Sequence, residues 1–473
     1  MKMLVGHDWV DREESIDVRD PFDDSLIDTV PAANHDDVET ALATAYEARD
    51  TARKMRTYER AQVVYRTAQI IADDIEGFAT VIAREGSKTI REARGEARRC
   101  VNTLTIAAEE AKRLQGETIP FDSFPGGEVR RGYYERVPIG VVLAITPFND
   151  PLNLVAHKLG PAIAGGNSVI LKPATVTPLS GLKLTEAFMQ AGLPPGVLQC
   201  ITGYGAVLGD ALVEDPRVRM VSFTGGVEAG ERIMSRIGLK KVGMELGSNS
   251  PVIVWKDADL DWAVETCVSG AFWAAGQNCI GVQRIYIHRD VYDRFRDGFV
   301  NKTKAYRTGN KLDESTDMGP MINEGEAKRV ERWVKEAVEK GARLLAGGTR
   351  DGALVPPTVL EDVPEDATIH FEEVFGPTVN LYPVDDLDEA IDRANSANYG
   401  LHAAGFSNDV TVCHKLAAGL DCGSVILNDS TDYRLDSMPF GGVKNSGLGR
   451  EGLKFSLQEM TEPKVVCWYL PGL

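Results

Sequence analysis

What the 473-residue chain has little of narrows its function first. Its seven cysteines, at 100, 200, 267, 279, 413, 422 and 467, are scattered and form no CxxC pair. Such spacing argues against a disulfide framework or a thiolate zinc site, and a reducing cytoplasm is the expected compartment. The seven histidines do not cluster either, so no metal is expected. No stretch approaches the ~18 uninterrupted apolar residues of a membrane span, and the opening MKMLVGHDWVDREES has no apolar secretory core. Basic residues are outnumbered, 52 Lys and Arg against 70 Asp and Glu, for a net charge of −18. Neither nucleic acid nor an anionic membrane is expected as main partner, although a local basic pocket could take a small anion. Internal repeats and low-complexity segments are absent.

What is present reads as an ordinary globular chain, 43% hydrophobic and 26% charged, long enough for two or three cores. Its first part carries apolar residues at three- and four-residue intervals, as in YERAQVVYRTAQIIADDIEGFATVIAREG, and predicts helices. REARGEARRC (91–100) alternates Arg with acids and reads as a solvated helix face. From 136 short apolar runs alternate with helical segments: VPIGVVLAITPFN, SVILKP, VLQCITGYG and RMVSFTGG read as strands. That alternation predicts a parallel, helix-covered sheet, and a second such series starts at SPVIVWKDA (250–258). EVRRGYYERV (128–137) and TEPKVVCWYL (461–470) read as edge strands, expected to join a neighbouring subunit.

Several stretches carry chemistry. GYGAVLG (Gly203, Gly205, Gly209) and FTGGVEAG (Gly225, Gly226, Gly230) are strand-to-glycine turns of the kind that admits a pyrophosphate to a helix N-terminus, or simply packs a strand on a helix. With Lys172 at the end of a strand in VILKPATVTP they suggest a dinucleotide site. Glu245, in MELGSNSP, lies among apolar neighbours that would raise its pKa toward that of a usable base; a cap or ion-pair role is the plainer alternative. Asp150-Pro151 reads as an N-cap and first helical residue, which leaves Asn149 free to hydrogen-bond an oxyanion. Cys279, in AAGQNCIGVQR, is a nucleophile or a buried thiol.

The order PFN, KPA, FTGG, ELG, GQNC, EEVFGP (372–377) and PFGGVKNSGLGRE (439–451) resembles the NAD(P)-dependent aldehyde dehydrogenase superfamily over nearly the whole chain. The resemblance implies an α/β fold with two doubly wound parallel-sheet domains and a β-hairpin oligomerisation element. It divides the chain into a Rossmann-like dinucleotide-binding domain (1–120 and 140–246), a catalytic domain (247–447) and the oligomerisation element (121–139 and 455–473) of a homodimer or homotetramer. It makes Cys279 the nucleophile, Asn149 with the Cys279 N–H the oxyanion hole, and Glu245 the base that hydrolyses the thioester. It assigns Glu373, with Phe375 beside it, to the nicotinamide ribose and Lys172 to the adenosine ribose. Phe148, Thr175, Gly205, Gly209, Phe223, Thr224, Gly225, Gly226 and Leu246 complete the implied cofactor set. Glu462 matches a second acid that some members place near the water path.

Departures from the family pattern bear on specificity. Thr175 stands where many NAD-preferring members have Glu; it removes a charge that would repel a 2′-phosphate, which favours NADP over NAD. Ser248-Asn249 replaces the usual Gly-Lys, without a functional account from sequence. Positions resembling pocket-lining sites hold Asp150, Asn153, His157, Trp273, Asn278, Ile280, Arg434 and Phe440. Such a polar pocket favours a short polar aldehyde of the lactaldehyde, glyceraldehyde or semialdehyde type, with sulfo- and phosphono-aldehydes as the alternative. Arg434 could instead pair with Asp432 or Asp436, and His157 could be an ordinary helix histidine. A CoA-acylating relative would lack the hydrolytic base, and a non-catalytic one the Cys, Glu or Asn.

Overall fold

The computed structural model describes residues 1–472. Two sheets carry the molecule, each with its own hydrophobic core. In the first, five parallel strands lie in the order Leu198–Cys200, Ser168–Lys172, Val141–Ile145, Val218–Thr224, Lys241–Glu245. The chain therefore starts in the middle, winds one way, then crosses back and winds the other. At the resulting switch point, between Val141–Ile145 and Val218–Thr224, the loops at the strand C-terminal ends part and leave a crevice. The antiparallel pair Met3–Val5 and Asp8–Val10 extends one edge, and Gly447–Leu448 extends the other beside Lys241–Glu245.

The helix Asn153–Ala164 leaves the central strand of this sheet and is buried along its whole length. Even Asn153, His157 and Lys158 are at most 1% exposed there, so each needs a polar partner inside the protein. The second sheet contains Thr358–Glu361, Thr378–Val384, Val282–His288, Ser250–Val254, His402–Phe406 and Ser424–Leu427 in parallel, with Arg343–Ala346 antiparallel at one edge. Its strands are rich in Val, Ile and Leu because helices cover both faces. Leu453, Leu457 and Met460, late in the chain, return to the first core.

The two expected edge strands find each other. Thr461–Tyr469 pairs antiparallel with Arg130–Pro138 along nine residue pairs, and Glu117–Thr118 adds a third strand. They pair within the chain, where a neighbouring subunit had been expected to supply the partner. The outer edge of Thr461–Tyr469 stays open among the described residues, with Val465, Trp468 and Tyr469 exposed. All seven cysteines are free thiols. No helix among the described residues is long and apolar enough to cross a membrane, and no three potential metal ligands come together.

Candidate active site

Cys279 sits where the helix Leu260–Phe272 gives way to the strand Val282–His288. The connection is tight: Ala274 and Ala275 both take left-handed backbone, with φ of 50° and 56°. Gly276 follows at φ 68°, and a side chain there would strike the Gly376 carbonyl. Gln277 is pinned on both sides, its Nε2 donating to the Ala274 carbonyl (2.9 Å) and its Oε1 accepting from the Ile322 N–H (2.9 Å). Asn149 reaches over from the first sheet's switch-point loop and donates through Nδ2 to the Gln277 carbonyl at 2.9 Å. The amide and the cysteine loop are thus bonded together across the two bodies.

The half-buried Cys279 thiol packs against Ile280, Leu401 and Phe440 and opens on a cavity of about 710 Å³. Burial pushes its pKa up to about 12, with Arg434 pulling down and Glu373, Glu245 and Glu451 pushing up. At rest it is a protonated thiol.

Glu245 ends the strand Lys241–Glu245, and its Oε2 is buried without a hydrogen-bond partner. Burial raises this carboxyl well above the ordinary range, and Glu451 raises it further. Glu451 titrates the other way: burial opposes its ionisation, but Lys158, Arg434 and His157 outweigh that and hold it at about 2. Lys158 Nζ donates to Glu451 Oε1 at 2.9 Å and to Ser222 Oγ at 3.0 Å, and Arg434 Nη2 reaches Glu451 Oε2 at 3.3 Å. Two neighbouring carboxyls cannot both ionise cheaply, so Glu451 carries the charge and Glu245 the proton.

This geometry corrects several sequence expectations. Glu462 lies on the three-stranded sheet, in an ion pair with Lys241 (3.1 Å); the acid beside Glu245 is Glu451, in the GLGRE stretch. Asn153 and His157 do not line the cavity. Asn153 accepts from Thr103 at 2.8 Å, and His157 Nε2 lies 3.0 Å from Asp436. Sharing a helix face put them on the inner side, against the helix Ile90–Arg113. Asp150 is not an N-cap: its carboxylate is drawn to Lys88 and, at 3.8 Å, to Arg99. The helix starts at Asn153 instead. The Arg-rich run at 91–100 is solvated only in part: Arg91 and Arg98 are exposed, while Glu92, Gly95, Glu96 and Arg99 wall the cavity. Arg434 does line it, but its ion partner is Glu451 and neither Asp432 nor Asp436; its guanidinium lies 3.6 Å over the Phe440 ring. Trp273, Asn278, Ile280 and Asp150 share the same cavity.

A second, more apolar cleft of about 330 Å³ opens at the switch point, lined by Ile145, Lys172, Gly205, Gly209 and Phe223 among others. Side chains at Gly205, Gly209 or Gly226 would meet open space, whereas one at Gly225 would strike the Phe223 ring (2.5 Å) and one at Gly230 the Leu246 side chain (2.7 Å). Lys172 is 5% exposed, and burial brings its pKa down to about 8. Its Nζ has only the Pro173 carbonyl (3.2 Å) and Thr175 Oγ1 (3.5 Å) as partners. Thr175 already donates to the Gly203 carbonyl at 3.0 Å, so the phosphate donation expected from sequence would require it to rotate. The Thr224 hydroxyl is buried without a partner. Between cleft and cavity, Phe148 and Phe375 meet edge to face at 5.7 Å, with Phe375 strained to φ 43°. Glu373 takes the Ser248 N–H at 2.7 Å, and burial raises its pKa to about 8. The Ser248-Asn249 departure has a local reason: Asn249 Nδ2 donates to the His370 and Glu372 carbonyls, holding the loop that carries Glu373. An open glycine turn, a buried ammonium and an unpaired hydroxyl around one crevice fit a dinucleotide.

The aldehyde dehydrogenase family model matches residues 9–466. The chain belongs to that family. Aspartate-semialdehyde dehydrogenase 1 of Pseudomonas canavaninivorans is 50% identical over 97% of this chain and 98% of its own length. The 3-sulfolactaldehyde dehydrogenase of Priestia megaterium is 47% identical over 98% and 97%. Among solved structures, glyceraldehyde-3-phosphate dehydrogenase GapN from Methanocaldococcus jannaschii, complexed with NADP, superposes with a TM-score of 0.93 at 40% identity, covering 97% of this chain and all of that one. This chain is therefore an NAD(P)-dependent aldehyde dehydrogenase. Sequence reasoning passed over Lys88, Glu92, Glu96, Arg99, Lys158 and Glu451; for Glu451 alone a signal existed, the acid closing the PFGGVKNSGLGRE motif.

Proposed function

We propose that this aldehyde dehydrogenase oxidises a short polar aldehyde bearing an anionic group to the corresponding acid, with Cys279, Asn149 and Glu245 as its catalytic residues. One observation carries the substrate class: Arg434 lies over Phe440 beside Cys279 and lines the cavity, with its guanidinium paired to Glu451 at 3.3 Å. Arg99 lies on the same wall. The relatives named above act, by name, on aldehydes that carry a carboxylate or a sulfonate, which supports the same reading. Succinic semialdehyde falls in this anionic class, whereas the lactaldehyde and glyceraldehyde alternatives are neutral and would leave Arg434 without an anion to bind.

The Cys279 thiol gives its proton to water in the cavity, and the sulfur adds to the aldehyde carbon to give a thiohemiacetal oxyanion. The developing oxyanion takes the second N–H of the Asn149 amide, whose first is committed to Gln277, together with the Cys279 N–H. A bound nicotinamide would supply the hydride acceptor for that carbon, and the oxyanion would then collapse to a thioester on Cys279. Glu245 then takes a proton from water as the water attacks the thioester carbon; the acid leaves and the sulfur departs as thiolate. Glu451, held ionised by Lys158 and Arg434, keeps the proton on Glu245 until it is released to solvent. Glu373 and the Phe148–Phe375 pair would hold the nicotinamide ribose, and Lys172 the adenosine ribose. Thr175, in place of an acid, favours NADP.

The two bodies would serve as dinucleotide-binding (1–120, 140–246) and catalytic (247–447) domains, and the open edge at Thr461–Tyr469 as the subunit contact of a homodimer or homotetramer. Seven free thiols support a reducing, cytoplasmic setting.

The test is a panel of short aldehydes, neutral and anionic, with NAD and NADP, for wild type and Arg434→Ala. Loss of a charge-assisted pair is worth about 2 kcal/mol, so kcat/KM for anionic aldehydes should fall ~30-fold beyond any fall for neutral ones. Equal losses for both kinds would remove the anion reading and leave Arg434 structural.

A further inference from the structure

Two glutamates on the helix Ile90–Arg113 take no part in the chemistry above, yet both are bonded to backbone that carries reacting groups. Glu96 is 2% exposed. Its Oε1 accepts from the Leu152 and Asn153 N–H groups at 2.8 and 2.9 Å, and its Oε2 from Lys88 Nζ at 2.6 Å. Lys88, 1% exposed, also pairs with Asp150 and lies 4.2 Å over the Trp273 ring. The loop that begins at Asn149 is therefore gripped at Asp150, Leu152 and Asn153 by a single buried ion cluster. One turn earlier, Glu92 Oε1 accepts from the Ala274 N–H at 3.0 Å, and its Oε2 from the Thr89 N–H at 2.7 Å. Ala274 opens the left-handed kink that aims Gln277 and Cys279. Left-handed backbone at alanine persists only where its surroundings hold it. Residues 92 and 96 are four apart, so one helix face meets both loops.

We infer that this face of the helix Ile90–Arg113 is a positioning device: Glu96 with Lys88 sets the Asn149 loop, Glu92 sets the Ala274 kink, and together they fix the distance between oxyanion amide and sulfur. The inference rests on the roles given above to Asn149 and Cys279. Buried ion pairs contribute little net stability compared with apolar packing, but they define geometry, and a displacement of about 1 Å at a reacting centre costs ~100-fold in rate. Neither glutamate is bonded to the sulfur; both act through the loops they hold.

The experiment compares Glu96→Gln, the double variant Lys88→Met/Glu96→Gln, Glu92→Ala and, as reference, Asn149→Ala. The double variant removes both charges of the Lys88–Glu96 pair, keeps an acceptor oxygen and leaves Asp150 its contact to Arg99 (3.8 Å), so it guards against unfolding of the single one. Three quantities are read: the single-turnover rate of reduced dinucleotide formation, KM for the aldehyde, and the rate at which iodoacetamide alkylates Cys279. The Glu96 variants should lose at least ~10-fold in single-turnover rate, with KM and alkylation changed less than about twofold. Glu92→Ala should slow both hydride transfer and alkylation, because it loosens the cysteine loop itself. A folded double variant with the wild-type single-turnover rate, or with its loss confined to KM, overturns the inference. If Asn149→Ala also leaves the rate intact, the oxyanion assignment fails with it; if only Asn149→Ala slows the reaction, the positioning role alone falls.

Discussion

The cavity at Cys279, about 710 Å³, is walled by charged groups that already engage one another: Arg434 with Glu451, Arg99 with Asp436, Lys88 with Glu96 and Asp150. The cleft at Lys172, about 330 Å³, is lined by glycine, apolar side chains, the solvated ion cluster of Asp210, Arg232 and Arg236, and one buried ammonium without an ion partner. In the first, orientation is settled before a ligand arrives, as a site for bond making needs. In the second, room and an unmatched charge are left for a ligand to complete. The loops that carry Asn149 and Cys279 are held by charges that satisfy each other, whereas the Lys172 ammonium is left for a ligand.

That contrast can be broken, most drastically at the sulfur. Cys279→Ser should lower turnover by more than ~1,000-fold while dinucleotide affinity, measured by fluorescence titration, stays within a factor of two, because a serine alkoxide is far less accessible than a thiolate. Turnover near wild type would end the nucleophile assignment. Glu245→Gln should keep a stoichiometric burst of reduced cofactor but slow the steady state ~100-fold or more in stopped-flow traces. In wild type the hydrolytic step needs Glu245 ionised, and its raised pKa puts the acid limb of that step above the ordinary carboxylate range. The rate therefore rises with pH there, and Glu245→Gln should flatten the limb.

Smaller effects sharpen the comparison. Arg99→Ala should reduce kcat/KM for anionic aldehydes about 10-fold, since Arg99 is more solvated than Arg434 and shared with Asp436. Lys172→Met should weaken NADP about fivefold and NAD less, the ~1 kcal/mol of a partly solvated charge pair. With Lys172 brought down to about 8, the ammonium is present below that pH and lost above it. KM for NADP should accordingly climb as pH passes through about 8, and Lys172→Met should abolish the climb.

The candidate nucleophile, amide and base were legible in the sequence only through the order of motifs that resembles the family, since alone Cys279 reads equally as a buried thiol and Glu245 as a cap or ion-pair partner. The charged groups behind them were not. Charged residues on a helix read as solvated by default, and only packing distant in sequence takes Glu96 out of water, against Leu152 and Asn153, and turns Glu92 toward Ala274. Periodicity gave the shared face of Asn153 and His157, but not which way that face turns. Glu462 was taken for the second acid although Glu451 closes a quoted motif, because distance along a chain says nothing about which strand end meets Glu245. The edge strands at 130 and 461 were recognised, while their mutual pairing depends on a contact far apart in sequence.

That late return of the chain also bears on how the enzyme is made. The strand Gly447–Leu448 borders the first sheet, and Leu453, Leu457 and Met460 fill its core. The first body thus cannot finish folding until the second has left the ribosome, which at about 5–20 residues per second takes on the order of ten seconds or more. Through that interval the flank of Lys241–Glu245, with the base at its tip, stands without its neighbour. A nascent chain arrested before residue 447 would expose the edge that chaperones bind and aggregates grow from.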